Sequence, residues 1–235
     1  MNIQAKKLQL LIIPMNRLNE RLALIVVVLL LILSRKSTPE FQVGDILFQD
    51  LDCGPPCEAI EAVTSGYNGA QLSHNGIITD IQGNKFSQIF VVEAIGEAVI
   101  KTPLDKFLER SNKVIVGRLK PDYTYMISDA INYIENSILG KPYDYIFDLE
   151  DDTYYCSEVI YQGFQVSDST QNLFAINPMT FNEPNSNNPF VHWVTYYEEL
   201  NTSIPEGELG LNPGGMSQSD KIDIIHTFKK PSGMQ

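Results

Sequence analysis

The chain has 235 residues, 43% of them hydrophobic and 20% charged, which fits one globular domain with a full core and excludes wholesale disorder. Its formal net charge is −12, and six of its 17 basic residues (Lys6, Lys7, Arg17, Arg21, Arg35 and Lys36) precede Ser37. The remainder is acidic enough to exclude nucleic acid as a partner and to be repelled by an anionic membrane surface, since both need clustered Lys and Arg.

The first element is an uncharged apolar run over residues 22–33, preceded by Arg17 and Arg21 and followed by Arg35 and Lys36. It is short for a bilayer-spanning helix, which needs about 20 residues, and it suits the core of an export signal. Residues 1–37 are therefore expected to be an export signal, either cleaved near residues 34–37 or kept as a membrane anchor. That expectation places the protein in the periplasm or outside the cell, with membrane attachment through this segment only.

Residues 41–230 carry the globular pattern. Residues 43–48 read as a short strand. Residues 50–56 are a loop, and Pro55 and Pro56 suit the opening of a helix over 58–64 that Gly66 and Gly69 end. Residues 72–79 form a second strand, a turn follows at 82–84, and residues 88–94 form a third; the pair reads as an antiparallel hairpin. Residues 98–101 extend the sheet, 104–110 make a brief helix with Thr102 as its cap, and 114–119 make another strand. The strongest helical spacing is over 122–139, with Ile127, Ala130, Ile131, Ile134 and Ile138 on one face, Asp122 as the cap, and Gly140 and Pro142 as the stop.

A further helix is expected to be capped within residues 151–153 and to run through Val159 and Ile160 to Gly163. Residues 177–189, rich in Pro and Asn, read as loop. Residues 190–200 read as a strand running into a helix, residues 205–219 as a Gly- and Pro-rich stretch, and residues 222–228 as a last strand. Strands and helices are mixed rather than strictly alternating, which indicates an α+β fold with a central antiparallel sheet.

There are three cysteines. Cys53 and Cys57 have three residues between them, unlike the two-residue spacing of redox and zinc motifs, so neither a metal site nor a cofactor is expected. Paired in an oxidising compartment, they would leave Cys156 as the free thiol. Cys156 falls in the first turn of its helix, where the peptide dipoles favour a thiolate. Its bland alternative is one more buried apolar residue. Glu158, in the same turn, reads as a helix N-terminal charge favoured by the dipole.

A nucleophilic thiolate needs a base, and the base needs an orienting group. Three histidines are available. His74 lies in a strand, on the same face as Leu72 and Gly76, with Ser73 and Asn75 turned away. It is either a base reached by substrate or a satisfied core histidine. His192, between Val191 and Trp193, suggests aromatic packing, and His226, near the C-terminus, suggests the surface. Glu93 is the odd residue of an apolar strand, where a carboxylate is costly unless paired. Across the hairpin it would reach His74.

Taken together, Gly44-Asp45-Ile46-Leu47-Phe48, Leu72-Ser73-His74-Asn75-Gly76-Ile77, Val92-Glu93-Ala94 and Tyr155-Cys156-Ser157-Glu158 resemble the circularly permuted NlpC-type cysteine hydrolases, the YiiX/YebB-like group of papain-like enzymes. In that group the histidine strand precedes the cysteine helix, as here. The resemblance implies a papain-like α+β fold with the nucleophile Cys156 at a helix N-terminus, His74 as base and Glu93 as orienting carboxylate. It also implies cleavage of an amide bond, peptide or isopeptide, in a peptide or other amide-containing substrate such as a peptidoglycan fragment. Two alternatives stay open: a thiol acyltransferase or lipid and acyl-ester hydrolase with the same Cys/His pair, and a non-catalytic binding domain of the cell envelope.

Overall fold

The structure, a computed structural model, describes residues 39–168 and 173–235, so the apolar run at 22–33 lies outside the described residues. Phe41–Gln235 forms one compact unit. Its centre is β1 (Ile46–Gln49), buried along its whole length because strands flank it on both sides. The other sheet strands are β2 (His74–Ile81), β3 (Ile89–Ile95), β4 (Ala98–Pro103), β5 (Val114–Leu119) and β8 (Ile222–Thr227), in the order β4-β3-β2-β1-β5-β8. Every pairing is antiparallel. The first helix, α1 (Pro55–Val63), follows β1, while β6 (Asn177–Pro178) and β7 (Leu209–Gly210) form a separate two-stranded ladder.

Side-chain alternation gives the sheet two apolar faces. On one, Ile46, Phe48, Ile77, Val92 and Ile115 pack against Ala130 and Ile134 and against Val159 and Ile160. On the other, Leu47, Ile78, Val91 and Val114 pack against Leu104 and Phe107 of α2 (Leu104–Arg110). Helices on both sides of the sheet leave its ends for chemistry. Truncating a fully buried anchor such as Phe107 to Ala would cost about 3–5 kcal/mol.

The Gly-Asp-Ile-Leu-Phe stretch is structural. Asp45, fully buried, accepts from Arg118 Nε at 2.7 Å and from Nη2 at 2.8 Å, a two-pronged ion pair that binds the start of β1 to β5.

Several local expectations are corrected. The 122–139 segment is three windings in succession: a 3-10 helix (Pro121–Met126), α3 (Ile127–Tyr133) and a π turn (Ile134–Ile138). Apolar spacing reports the buried stripe, and that stripe tolerates tight and wide turns alike. Asp122 is not the cap; Lys120 holds that position. Thr102 does not cap α2 either, since it is a buried β4 residue and Pro103 stands at the cap position. Residues 190–200 contain no strand but α5 (Val191–Glu199), whose Trp193 and Tyr197 fall four apart and pack on Phe181. Their aromatic and β-branched composition suggests a strand, but the helical spacing of the buried pair decides. The loop expected at 177–189 contributes the short strand β6.

Candidate active site

Three elements meet at one end of the sheet: the first residue of β2, its neighbour strand β3, and α4 (Cys156–Gln165). Helix α4 begins at Cys156 with Tyr155 at the cap position and runs past Gly163 to Gln165. Residues 151–153 do not cap it, because Asp151 Oδ1 is taken by the Thr153 amide at 2.7 Å and hydroxyl at 2.6 Å. Gly163 is internal to the helix because a Cβ there would strike Ile134 Cγ1 at 2.6 Å, so it marks close helix packing rather than a stop.

His74, Glu93 and Cys156 are all buried and lie together. His74 Nε2 donates to Glu93 Oε2 at 2.5 Å, and the Cys156 thiol lies close enough to the imidazole to influence its charge. Gly76, two residues on, serves this pair. A Cβ there would crowd Val92 O at 3.1 Å and Glu93 Cβ at 3.3 Å, so the glycine makes room for β3 rather than for substrate. Leu72, expected on the His74 face, precedes the strand and packs in the opposite cluster.

Two residues outside the sequence reading complete the electrostatics. Arg110, the last residue of α2, donates from Nη2 to Glu93 Oε2 at 2.5 Å. Phe107, one turn earlier, has the His74 ring 5.7 Å from its centroid and the Arg110 guanidinium 5.1 Å away. Gln49, paired with His74 across β1 and β2, fixes this helix end by donating from Nε2 to Phe107 O at 3.0 Å and Ser111 O at 2.6 Å. The hint in sequence was the spacing of Phe107 and Arg110, which puts both on one face of a short helix.

The charges follow from these contacts. Burial alone would lower the pKa of His74, but the hydrogen bonds to Cys156 and Glu93 and their charges outweigh it and raise it to about 9. Burial pushes Glu93 up, yet the His74 hydrogen bond, the imidazolium charge and Arg110 hold it below the usual carboxylate range. Thr102 stands beside the same carboxylate, although neither its hydroxyl nor Glu93 Oε1 completes a hydrogen bond among the described residues. An imidazolium held between a carboxylate and a thiol is the arrangement that favours a thiolate.

A second pair ties the two halves of the site. Asn75, although turned to the opposite face from His74, donates from Nδ2 to Ser157 Oγ at 3.1 Å and to Met216 Sδ at 3.4 Å. Behind the cysteine, Glu158 is fully buried, with its Oε2 accepting from the Tyr155 amide at 3.4 Å and its Oε1 accepting from Gln162 at 3.4 Å. Burial first, then the nearby Asp144 charge, raises its pKa to about 8. Glu158 is thus an uncharged acid at neutral pH, not the dipole-stabilised anion expected from sequence. Asp144, itself raised by burial to about 6, accepts from the amides of Ile146 (2.7 Å), Phe147 (2.9 Å) and Asp148 (2.7 Å). That turn leaves Phe147 at φ 59° with its ring edge-on to Tyr155.

A cavity of about 550 Å³ opens onto Cys156 and His74. Tyr143 lines it close enough to Cys156 that burial, with the thiolate charge added, raises its phenol pKa. Cys53 and Cys57, which lie on another wall, are joined as a disulfide, and Cys156 is the free thiol among the described residues. His192 packs its ring on Trp193 and Tyr196, and His226 stands edge-on to Phe228 on β8. Among the described residues no group of three or more His, Cys, Asp and Glu is placed to hold a metal ion.

An antiparallel sheet whose histidine strand precedes the helix carrying the cysteine is the papain-like architecture in permuted order. The chain belongs to the permuted papain-like amidase enzymes of the YaeF/YiiX, C92 family, whose family model matches residues 40–226. It is similar to the uncharacterized protein YiiX of Escherichia coli strain K12, at 34% identity over 135 residues, which cover 55% of this chain and 62% of that protein. The chain thus spans under two thirds of the length of the curated relative it matches. It is also similar to a crystal structure described as the metalloprotein yiiX from Escherichia coli O157:H7, with a TM-score of 0.59 and 26% identity, covering 79% of this chain and 97% of that one.

Proposed function

We propose that this protein is a cysteine hydrolase that cleaves an amide bond through a thioester on Cys156. The observation that carries this reading is the hydrogen-bonded line from Arg110 through Glu93 to His74, with the free thiol of Cys156 beside that imidazole. Cys156, as thiolate, attacks the carbonyl carbon. The backbone amide of Cys156, at the first position of α4 and without an intrahelical partner, donates to the developing oxyanion. Tyr143, which lines the same cavity, would add a second donor. His74 gives its proton to the leaving amine, and a water deprotonated by the same imidazole then releases the acid from the thioester. Glu93 holds the ring and stabilises its charge, while Arg110 keeps Glu93 ionised.

The metal implied by the description of the similar crystal structure finds no matching donor set among the described residues. His74 is committed to Glu93 and Cys156, and no step is derived through a metal. Export is part of the same proposal. The Cys53–Cys57 disulfide supports an oxidising compartment, and the apolar run with basic flanks supports a leader or anchor.

Alkylation tests the reading. Iodoacetamide at pH 6 is expected to modify Cys156 at least tenfold faster than free cysteine, and His74→Ala is expected to abolish that advantage. Equal rates in both proteins would sink the proposal.

A further inference from the structure

The Cys53–Cys57 disulfide is part of the wall of the cavity that opens onto Cys156, together with Leu51, Pro56 and Ile60. Cys53 is exposed, whereas Cys57 is buried. On the Cys53 side the chain is anchored beside the base. The Leu51 amide donates to Ser73 Oγ at 3.1 Å, that hydroxyl donates to Leu51 O at 3.2 Å, and Ser73 immediately precedes His74. On the Cys57 side, α1 opens without a side-chain cap, and Pro55 and Pro56 bring no amide hydrogens to its first turn. Further along α1, Ala59 and Ile60 join the cluster of Phe181, Trp193 and Tyr197. The disulfide is thus the covalent tie between the segment anchored at Ser73 and the weakly held start of the helix. Bridging residues only four apart in sequence, it constrains the unfolded chain less than a bond across a long stretch would, so stability accounts for little of its placement.

We propose that the Cys53–Cys57 disulfide is a reversible thiol-exchange site whose state sets how widely the cavity in front of Cys156 stands open. Its partner is a dithiol reductant. One thiolate of the reductant attacks the sulfur of Cys53, the exposed member of the pair, and forms a mixed disulfide. The Cys53–Cys57 bond breaks, and Cys57 leaves as a thiolate that takes a proton from water. The second thiol of the reductant then attacks the mixed disulfide, gives up its proton to water and releases Cys53 as a thiolate, which is protonated in turn. The reductant departs as a disulfide, having lost the two electrons that the protein cystine gained. Once the bond is open, Leu51 stays at Ser73, while the uncapped first turn of α1 is free to part from it. Pro56 and Cys57 belong to that turn and to the cavity wall, so the mouth widens on this side. Oxidation closes it again.

The experiment treats the full chain with excess dithiothreitol, removes the reductant without air, and compares this form with the oxidised one. N-methylmaleimide and a polyethylene-glycol maleimide are the small and bulky probes, and the rate at Cys156 is read by peptide mass so that labels on Cys53 and Cys57 do not count. Both probes meet the same sulfur by the same chemistry, so their ratio cancels the reactivity of Cys156 and stands whatever reaction that residue performs. Reduction is expected to proceed in the folded protein, with the thermal transition retained, and to raise the bulky-to-small ratio at least fivefold; reoxidation is expected to restore it. A bond that yields only in urea, or a chain that unfolds on reduction, makes the disulfide a staple and overturns the proposal. An unchanged ratio in the folded, reduced protein overturns it as well. Cys53→Ser with Cys57→Ser is expected to show the raised ratio without reductant, and a folded double variant with the oxidised ratio refutes the idea. Should that variant not fold, the reduced wild type decides alone.

Discussion

Asn75 Nδ2 donates to Ser157 Oγ at 3.1 Å, and this one bond joins the residue after His74 to the residue after Cys156. Strand β2 and helix α4 reach the site from different parts of the chain, 82 residues apart at this contact. A side chain on the sheet face opposite His74 thereby ties the strand that carries His74 to the helix that carries Cys156. Displacing a catalytic group by about 1 Å can cost on the order of 100-fold in rate. Asn75→Ala is expected to lower kcat/KM on a reporter ester by about 10- to 100-fold and stability by about 1–3 kcal/mol. Asn75→Asp is expected to destabilise more, since it buries a charge where Oδ1 already has no partner among the described residues. Urea melts and iodoacetamide rates for the two variants check both points, and wild-type kinetics in either would refute the positioning role.

Arg110 acts one step further back. Its guanidinium helps hold Glu93 below the ordinary carboxylate range, so at neutral pH the carboxylate stays ionised and keeps His74 oriented. Arg110→Gln removes that charge but keeps a donor. A group with a depressed folded pKa contributes stability that is present above its unfolded pKa and lost as pH falls through the folded one. Weakening the depression therefore moves the acid limb of both stability and kcat/KM to higher pH. A pH–rate profile reads this directly. The limb is expected to shift upward with KM little changed, and an unshifted limb would show that Arg110 is only a surface partner of Glu93.

What sequence could reveal here depended on whether a signal was local. Strand β3 is apolar at every position but Glu93, so that residue was visible as an outsider in its strand, and the hairpin brought it within reach of His74. The order of His74, Glu93 and Cys156 along the chain carried the family resemblance that the match over residues 40–226 bears out. Arg110 and Gln49 were hidden because their partners are set by how α2 packs on the sheet; the spacing of Phe107 and Arg110 shows a shared helix face but not what that face meets. Glu158 misled for the reverse reason. Its place in the first turn of α4 is what a dipole-stabilised anion would have, and only its full burial, with the Asp144 charge nearby, raises its pKa.

That burial makes Glu158 a source of alkaline instability. Its folded pKa of about 8 lies above the ordinary 4.5, so between those values the unfolded chain has released a proton that the folded chain retains. Stability contributed by the protonated group is complete below about pH 4.5, falls as pH rises, and levels off above about 8. Glu158→Gln keeps an acceptor for the Tyr155 amide without the ionisation. It is expected to match the wild type near pH 4.5 and to exceed it by a few kcal/mol at pH 8.5. Thermal melts of the two proteins across that window decide the matter; parallel curves would rule out a neutral Glu158.

On the proposed mechanism, His74 is expected to set the alkaline limb of activity. Its folded pKa of about 9 lies above 6.5, so the stability it adds is fully present below about pH 6.5 and is lost as pH rises through about 9. The loss is on the order of 3 kcal/mol for a shift of this size. The same proton must reach the leaving amine, so kcat/KM on an anilide is expected to fall above about pH 9. Glu93→Gln removes the carboxylate that helps raise the imidazole, and the alkaline limb should then move to lower pH as stability drops. An anilide measured with both proteins from pH 6 to 10 separates the two possibilities. If the limb holds its place in Glu93→Gln, the carboxylate orients His74 without setting its charge.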